Sequence, residues 1–454
     1  VLLFSSQQPT MNEESVHYPM LQHSNARNVL LLSGGTPGVI REILKYPVER
    51  IDYVEINPWL LHAVRKYSGI YDDSRVHVVN QDARLFVNRT VNRYDIALVR
   101  LPEPSTVQLN RFYTLGFYQE LKDKLNPGAV IGFSISGSSN YMAEEERQLN
   151  SSLHETLKRA FDHVIIIPGQ KHYFVASDQP LSYQVTRLVK EHDLDNEYVN
   201  AYYIDDQLLQ RRAGQLMGNL LAEASVNRDF RPITYFLSVR QWLSQFDFNY
   251  WTPLVIIVFL VVYLMITLHP VNLGMFSAGF AGASVEVLLL IAFQILYGYV
   301  YNMVGFFVTI FMAGLAIGTF YRERLVKSTT LIVYYRLIWS MGGFILLTAL
   351  LLLGIRQWSL HPYLLHAIFM ILMFLTALFT GMIFSLATKL RLQKWINVAS
   401  EIYSVDLLGA GLGTFLVSVY LVPLLGLVNV FVVTAFLCLF SGVVARLRLG
   451  AVPA

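Results

Sequence analysis

Cysteine is almost absent. Cys438 is the only one in 454 residues and it lies in an apolar run, which excludes a disulfide framework and a thiolate metal site. Charge is scarce as well. Asp, Glu, Lys and Arg make up 15% of the chain against 54% hydrophobic residues, where a soluble domain carries about 25% and about 45–50%. That shortage excludes a disordered chain, a nucleic-acid-binding arm and a purely soluble enzyme. Acids are rarest in the second part. From Trp251 onward ten basic side chains face only Glu286, Glu323, Glu401 and Asp406, a balance of +6, while the preceding part carries 25 basic and 28 acidic residues, a balance of −3. Two different solvents are implied. The chain opens on Val1, and the VLLF run there is too short for a signal-peptide core, so a missing or removed segment upstream is expected.

Long apolar runs fill the second part. Residues 252–268 form a charge-free stretch long enough to cross a bilayer, and further candidates lie at about 272–296, 301–320, 331–354, 362–387, 400–422 and 426–445. The expectation is an all-α polytopic bundle of about seven helices over 251–454, because open strands cannot satisfy their backbone in lipid. Seven crossings put the 269–273 loop, Arg322–Lys327, Lys389–Lys394, Arg446 and Arg448 on one side and only Arg356 on the other. Basic short loops mark the cytoplasm, which places the first domain outside, most simply at a bacterial inner membrane. One crossing more or fewer inverts this.

Residues 1–180 alternate short apolar runs with helical patterns, as in a Rossmann-like, doubly wound α/β sheet of the methyltransferase type. Strands are expected at Asn28–Leu32, Ile51–Ile56, Val76–Val79, Asp95–Val99, Ala129–Ser134, His163–Ile167 and Tyr173–Ala176, with helices at 38–46, 58–68, 112–125 and 142–160. The first strand runs into Ser33-Gly34-Gly35-Thr36-Pro37-Gly38, a turn that lets a ligand approach backbone at a helix start. Glu55 ends the second strand and Asp82 follows the third; sheets of this type present acids there to a ribose and an adenine amino group. Gly34, Gly35, Glu55 and Asp82 are therefore the nucleoside-binding candidates. Residues 181–250 are more acidic and aromatic and are expected to connect the sheet to the membrane surface, with Phe246–Trp251 as an interfacial belt.

Several stretches resemble the spermidine synthases, the polyamine aminopropyltransferases: VLLLSGGTPGVIREILKYPVERIDYVEINPWLLHAVRKY, VVNQDARLF, YDIALVRLPEPS and FYQELKDKLNPGAV. LNRFYT at 109–114, SSNYM at 138–142, NRDFRP at 227–232 and the membrane segments GFAGASVEVLLL, FMAGLAIG and YSVDLLGAGLG resemble the membrane-fused branch of that superfamily. The resemblance implies a decarboxylated S-adenosylmethionine-like nucleoside as ligand. It also exposes departures. Thr36 stands where a soluble aminopropyltransferase has Asp in the glycine-rich turn, Asn57 replaces the Asp after the second-strand Glu, and His17-Tyr18-Pro19 replaces a Tyr-His-Glu-type segment. The catalytic carboxylate ending the fourth strand is replaced by Arg100, with Glu103 as a residual acid. Aminopropyl transfer needs a carboxylate to hold and deprotonate a cationic amine, and a guanidinium can do neither.

Three functions compete. The first is a non-catalytic ligand-binding or scaffolding subunit with partner membrane or extracytoplasmic proteins. The second is an aminopropyltransferase or related nucleoside-dependent enzyme using Glu103, Glu55 and Asp82. The third is a transporter in which Glu286, a carboxylate at mid-span depth, acts with Gln294, Asp406 and Arg336. Local alternatives accompany each. Glu55 and Asp82 can equally serve as turn caps. Arg100 and Arg111 can clamp an anion or form salt bridges. Glu401 and Asp406 can snorkel toward Lys394, and the small-residue motifs can set close helix packing. His17, His163 and His172 show no metal-ligand spacing and are expected at the surface or at strand ends.

Overall fold

Continuous apolar runs form the middle of the first half, as buried parallel strands require. The computed structural model describes residues 9–137, 142–244, 251–298, 301–355, 362–392 and 398–450, with Phe246 and Asn249. The strands are β1 Asn28–Leu32, β2 Arg50–Val54, β3 Val76–Val79, β4 Tyr94–Val99, β5 Leu125–Ile135, β6 His163–Pro168 and β7 His172–Ser177. They form one sheet in the order β3-β2-β1-β4-β5-β7-β6. The first five are parallel, and β7 runs antiparallel to both of its neighbours. The sheet is thus mixed, because the short 168–172 connection can only reverse the chain.

The helices of this half are α1 Pro9–Met20, α2 Pro37–Leu44, α3 Pro58–Tyr67, α4 Ala83–Arg89, α5 Val107–Asn110, α6 Leu115–Lys122, α7 Glu144–Lys158, α8 Val185–Glu191, α9 Asp206–Asn219 and α10 Ile233–Ser244. Two expectations are corrected. The helix foreseen at 112–125 is shorter, α6 alone, with Thr114 as its cap, and the separate one-turn α5, capped by Thr106, precedes it. β5 begins four residues before Ala129, and a register shift between Tyr94 and Ile96 absorbs the Asn126-Pro127-Gly128 step. The sequence pattern missed α1 altogether. Its residues PTMNEESVHYPM have no apolar stripe, yet nine of the twelve are buried. They are held by polar contacts: Glu13 accepts the backbone N–H groups of Glu197, Tyr198 and Val199, each at 2.8 Å.

That contact also ties the 181–244 region to the sheet. A second tie joins two of the sequence motifs. Asn227 Nδ2 donates to Asn110 Oδ1 at 3.2 Å and to the Tyr113 carbonyl at 2.9 Å, while Thr234 Oγ1 donates to Asn110 at 2.5 Å. NRDFRP is therefore bolted onto LNRFYT. Arg84 completes the bolt with ion pairs to Glu120 and Asp229 at 2.6 and 2.7 Å.

Contacts divide the chain into two compact units between Phe246 and Asp247. The second holds α11 Trp251–Thr267, α12 Pro270–Tyr297, α13 Tyr301–Phe320, α14 Arg322–Leu325, α15 Leu331–Ile355, α16 Pro362–Leu392, α17 Val398–Leu416, a π-helical turn Val417–Leu421, α18 Val422–Leu425 and α19 Leu427–Gly450. Six of these stretches are long and apolar enough to cross a membrane, rather than about seven. The shortfall is α11, whose 17 residues rise about 26 Å against a hydrocarbon core of about 30 Å. Phe246 and Trp251 of the expected aromatic belt are exposed; Phe248 and Tyr250 lie outside the described residues.

The small-residue motifs set backbone-to-backbone distances in this unit. A methyl group added to Gly409 or Gly413 of α17 would lie 2.3 or 2.5 Å from the carbonyl oxygens of Phe276 and Phe280 on α12. One on Gly314 or Gly318 of α13 would meet the carbonyls of Phe374 and Leu378 on α16 at 2.6 and 2.4 Å. Neither contact leaves room for any side chain.

Candidate functional site

The carboxyl ends of β1, β2 and β4 meet at the glycine-rich turn. Ser33 and Gly34 both take positive φ, 63° and 62°, a conformation that strains residues other than glycine. The turn is clamped on two sides. A methyl group on Gly35 would overlap the Tyr53 ring at 2.5 Å, and one on Gly34 would lie 3.3 Å from Arg100 Nε.

On the β2 side sits Glu55, buried at 3% exposure. Its carboxylate accepts from Ser33 Oγ at 2.9 Å, Tyr53 Oη at 3.2 Å and the Asn57 backbone N–H at 2.9 Å. Asn57 in turn caps α3. An open cleft of about 300 Å³ adjoins this strand end, lined by Pro58, Leu61, His62, Arg65, Val78 and Asn80. Asn80 Nδ2 donates to the Glu55 carbonyl at 2.7 Å.

On the β4 side sits Arg100. Its backbone N–H continues the β1–β4 ladder to the Leu32 carbonyl at 2.9 Å, so the residue is fixed beside the turn. Its guanidinium crosses Gly34 and donates through Nη1 to Ser15 Oγ of α1. Nε is sealed from solvent with no hydrogen-bond partner. Burial pulls the group down to about 10, opposed only by the neighbouring Tyr173 and Tyr53 hydroxyls. It therefore stays cationic at neutral pH.

Asp82 and Arg111 are occupied with each other. Asp82 caps α4 by accepting from Arg84 and Leu85 N–H, both at 3.1 Å, and forms an ion pair with Arg111. Both are buried, and Arg111 also lies 4.4 Å over the Phe112 ring. Burial lowers the Arg111 pKa against the raising effect of Asp82. Of the two arginines, this one is neutralised. Glu103 is half-buried, and its carboxylate accepts the Ser136 N–H at 2.6 Å.

Sequence reasoning missed α1, which brings Ser15 to Arg100. Beside it, Glu14 accepts from Gln170 N–H of the β6–β7 connection at 2.8 Å and from Tyr18 Oη at 3.5 Å, and burial raises its pKa. Nothing in a polar dodecapeptide signals that it is buried here. The histidine expectation is corrected at His17, while His172 does stand at a strand end, as the first residue of β7. His17 is fully buried between Tyr46 Oη at 2.8 Å and Glu42 at 2.9 Å. His172 is buried with Asn150 at 3.0 Å and Glu146 at 3.6 Å. His163 is exposed at the start of β6. Among the described residues no group of three His, Cys, Asp or Glu side chains is placed to hold a metal. SSNYM lies outside the described residues except for Met142.

The comparisons bear directly on this geometry. Residues 9–177 match the spermine/spermidine synthase domain. The first half of the chain carries a spermidine synthase-like domain. It is 29% identical over 206 residues to polyamine aminopropyltransferase 2 of Aquifex aeolicus, covering 42% of this chain and 41% of that protein. It is 36% identical over 125 residues to the polyamine aminopropyltransferase of Bacillus mycoides, covering 26% and 45%. The chain thus spans less than half the length of these relatives. Among solved structures, the spermidine synthase complex with the transition-state analogue AdoDATO aligns at TM-score 0.38 and 21% identity, covering 46% of this chain and 76% of that one.

In the membrane unit the expected polar cluster is not assembled. Glu286 is half-buried and Arg336 exposed, and no hydrogen bond or ion pair links Glu286, Gln294, Arg336 and Asp406 among the described residues. Glu286 and Gln294 share α12 but stand about 12 Å apart along it. Glu401 pairs with Arg391 at 3.2 Å and also accepts from Asn272; Lys394 lies outside the described residues. Asp406 does not join them. Five residues turn a helix by about 140° from Glu401, which aims Asp406 at Gly279 of α12 with its Oδ1 buried and unpartnered.

Proposed function

We propose that this chain is an integral membrane protein whose spermidine synthase-like domain has lost aminopropyl transfer and serves a membrane assembly as a ligand-binding subunit. One observation carries the reading: Arg100 occupies the strand end where the family places its proton-accepting carboxylate, and it lies over the glycine turn with no ion pair to an acid among the described residues. A cationic amine and a sulfonium are both repelled there. The enzyme alternative loses support on a second count, because Asp82 is bound to Arg111. Glu55 and Glu103 are each held by neutral donors only.

The domain is placed outside the cytoplasm on the argument that α11 crosses. Val255, Val258, Phe259, Leu260, Val262 and Tyr263 are all exposed, spread over about 200° of the helix, and α11 carries no charged residue on any face; such a helix belongs in lipid.

The decisive experiment incubates the purified chain with decarboxylated S-adenosylmethionine and putrescine. The expected result is no spermidine and no 5′-methylthioadenosine above a no-protein control. Turnover at a rate comparable with the curated relatives would remove the proposal.

A further inference from the structure

We infer that Arg100 is an anion subsite at the carboxyl ends of β1 and β4, beside the glycine turn, and that the ligand is an adenosyl amino acid that retains its carboxylate. The inference rests on the ligand-binding reading above and specifies its substrate class. A buried ion without a partner is expensive, and the fold relieves that cost elsewhere: Arg84 has two carboxylates and Arg111 has one. Arg100 has a serine hydroxyl and two tyrosines. Its Nε is sealed in without an acceptor, and a guanidinium offers a planar fork that matches a carboxylate.

The rest of the turn fits the same ligand. Glu55 stands on one side of Gly34-Gly35 with its carboxylate oriented by three donors, ready to accept from a ribose diol. Arg100 stands on the other side, so the turn separates a negative pole from a positive one. Thr36 heads α2 without capping it through its side chain, leaving that helix start uncharged. The resemblance places acids at both Thr36 and Arg100 in an aminopropyltransferase, which suits a donor bearing only an amine. Removing both acids and adding one cation complements a single carboxylate, the group that decarboxylation would have removed.

The test is equilibrium binding to the full chain in detergent, using S-adenosylhomocysteine, 5′-methylthioadenosine, decarboxylated S-adenosylmethionine and ADP as probes. S-Adenosylhomocysteine is expected to bind at least tenfold tighter than 5′-methylthioadenosine. Arg100→Met should erase that preference, with a far-ultraviolet circular dichroism spectrum matching that of the unmodified chain to report that the variant folds; Arg100→Lys should restore part of it. Equal affinities in the unmodified chain, a preference for decarboxylated S-adenosylmethionine or for ADP, or a preference that survives Arg100→Met would each overturn the assignment. Absence of any nucleoside binding overturns it too, and leaves the loss of aminopropyl transfer standing. That loss is refuted separately, by turnover.

Discussion

The two halves of this chain bury different things. In the sheet unit, buried charges are matched by opposite charges or by neutral donors: Arg84 between Glu120 and Asp229, Arg111 on Asp82, Glu13 on three backbone amides. In the helical unit the tight places are glycines, with Gly409, Gly413, Gly314 and Gly318 against facing carbonyls. The difference follows from the solvent each half folds in. An aqueous chain can trade hydrated ions for matched ones, whereas helices in lipid gain little from apolar burial and associate through close approach. Against that background the exceptions stand out. Arg100 is a buried guanidinium without an ion pair among the described residues of the first half, and Asp406 has an unmatched oxygen in the second. Unpaired charge is where each half departs from its own rule.

The largest test of the comparison is all-or-none and asks whether the halves lie in different compartments. Val91 is 93% exposed on the sheet unit, and Cys438 is buried, so Val91→Cys creates a single accessible thiol. A membrane-impermeant maleimide is expected to label it in sealed spheroplasts. Labelling only after lysis would mean that α11 does not cross. Six crossings would then gather the basic loops on the domain's own side, and the domain would be cytoplasmic.

Arg84→Met comes next. It strands Glu120 and Asp229 against each other and should destabilise the sheet unit by about 3–5 kcal/mol, read from chemical denaturation of the full chain by the fluorescence of the sheet unit's tryptophans. A loss under about 1 kcal/mol would show that the network is solvated rather than buried. In the membrane half, Gly409→Val should cost about 1–3 kcal/mol of helix packing, measured by titrating the detergent-solubilised chain with SDS. Gly411, which has no neighbour within 4 Å at its open side, is the control, and Gly411→Val should fall well below that range.

How much of this was legible in the chain varies by kind of contact. β1 and β3 coincide with their expected limits, since short apolar runs bounded by turn residues have one interpretation in a parallel sheet. Arg100 could be placed at a strand end, because the motif around it fixes its position. Its surroundings could not: Ser15 and Tyr173 lie far off in sequence, and they arrive through α1 and the antiparallel β7. α1 itself was invisible because its burial is polar. In the membrane, apolar content located the helices, but the partnership of Glu401 with Arg391 depends on rotation about α17 and α16, which hydropathy does not encode.

The smallest expected effect separates the two kinds of burial within a single helix. His17 is enclosed on α1 and burial pushes its pKa below the usual 6.5, although Glu42 pulls it upward. The folded chain therefore binds this proton less readily than the unfolded chain. The associated stability is present at neutral pH and is lost as the pH falls from about 6.5 toward the depressed value. Glu14, raised by burial, acts with the opposite sign at lower pH, so the two must be separated by substitution. Amide hydrogen exchange of α1 in the full chain, corrected for intrinsic rate, should show weaker protection at pH 5.5 than at pH 7.5. His17→Gln should flatten that change. Protection that instead rises on acidification would mean that the ion pair with Glu42 outweighs desolvation, and that α1, like Arg84, is held by matched charge.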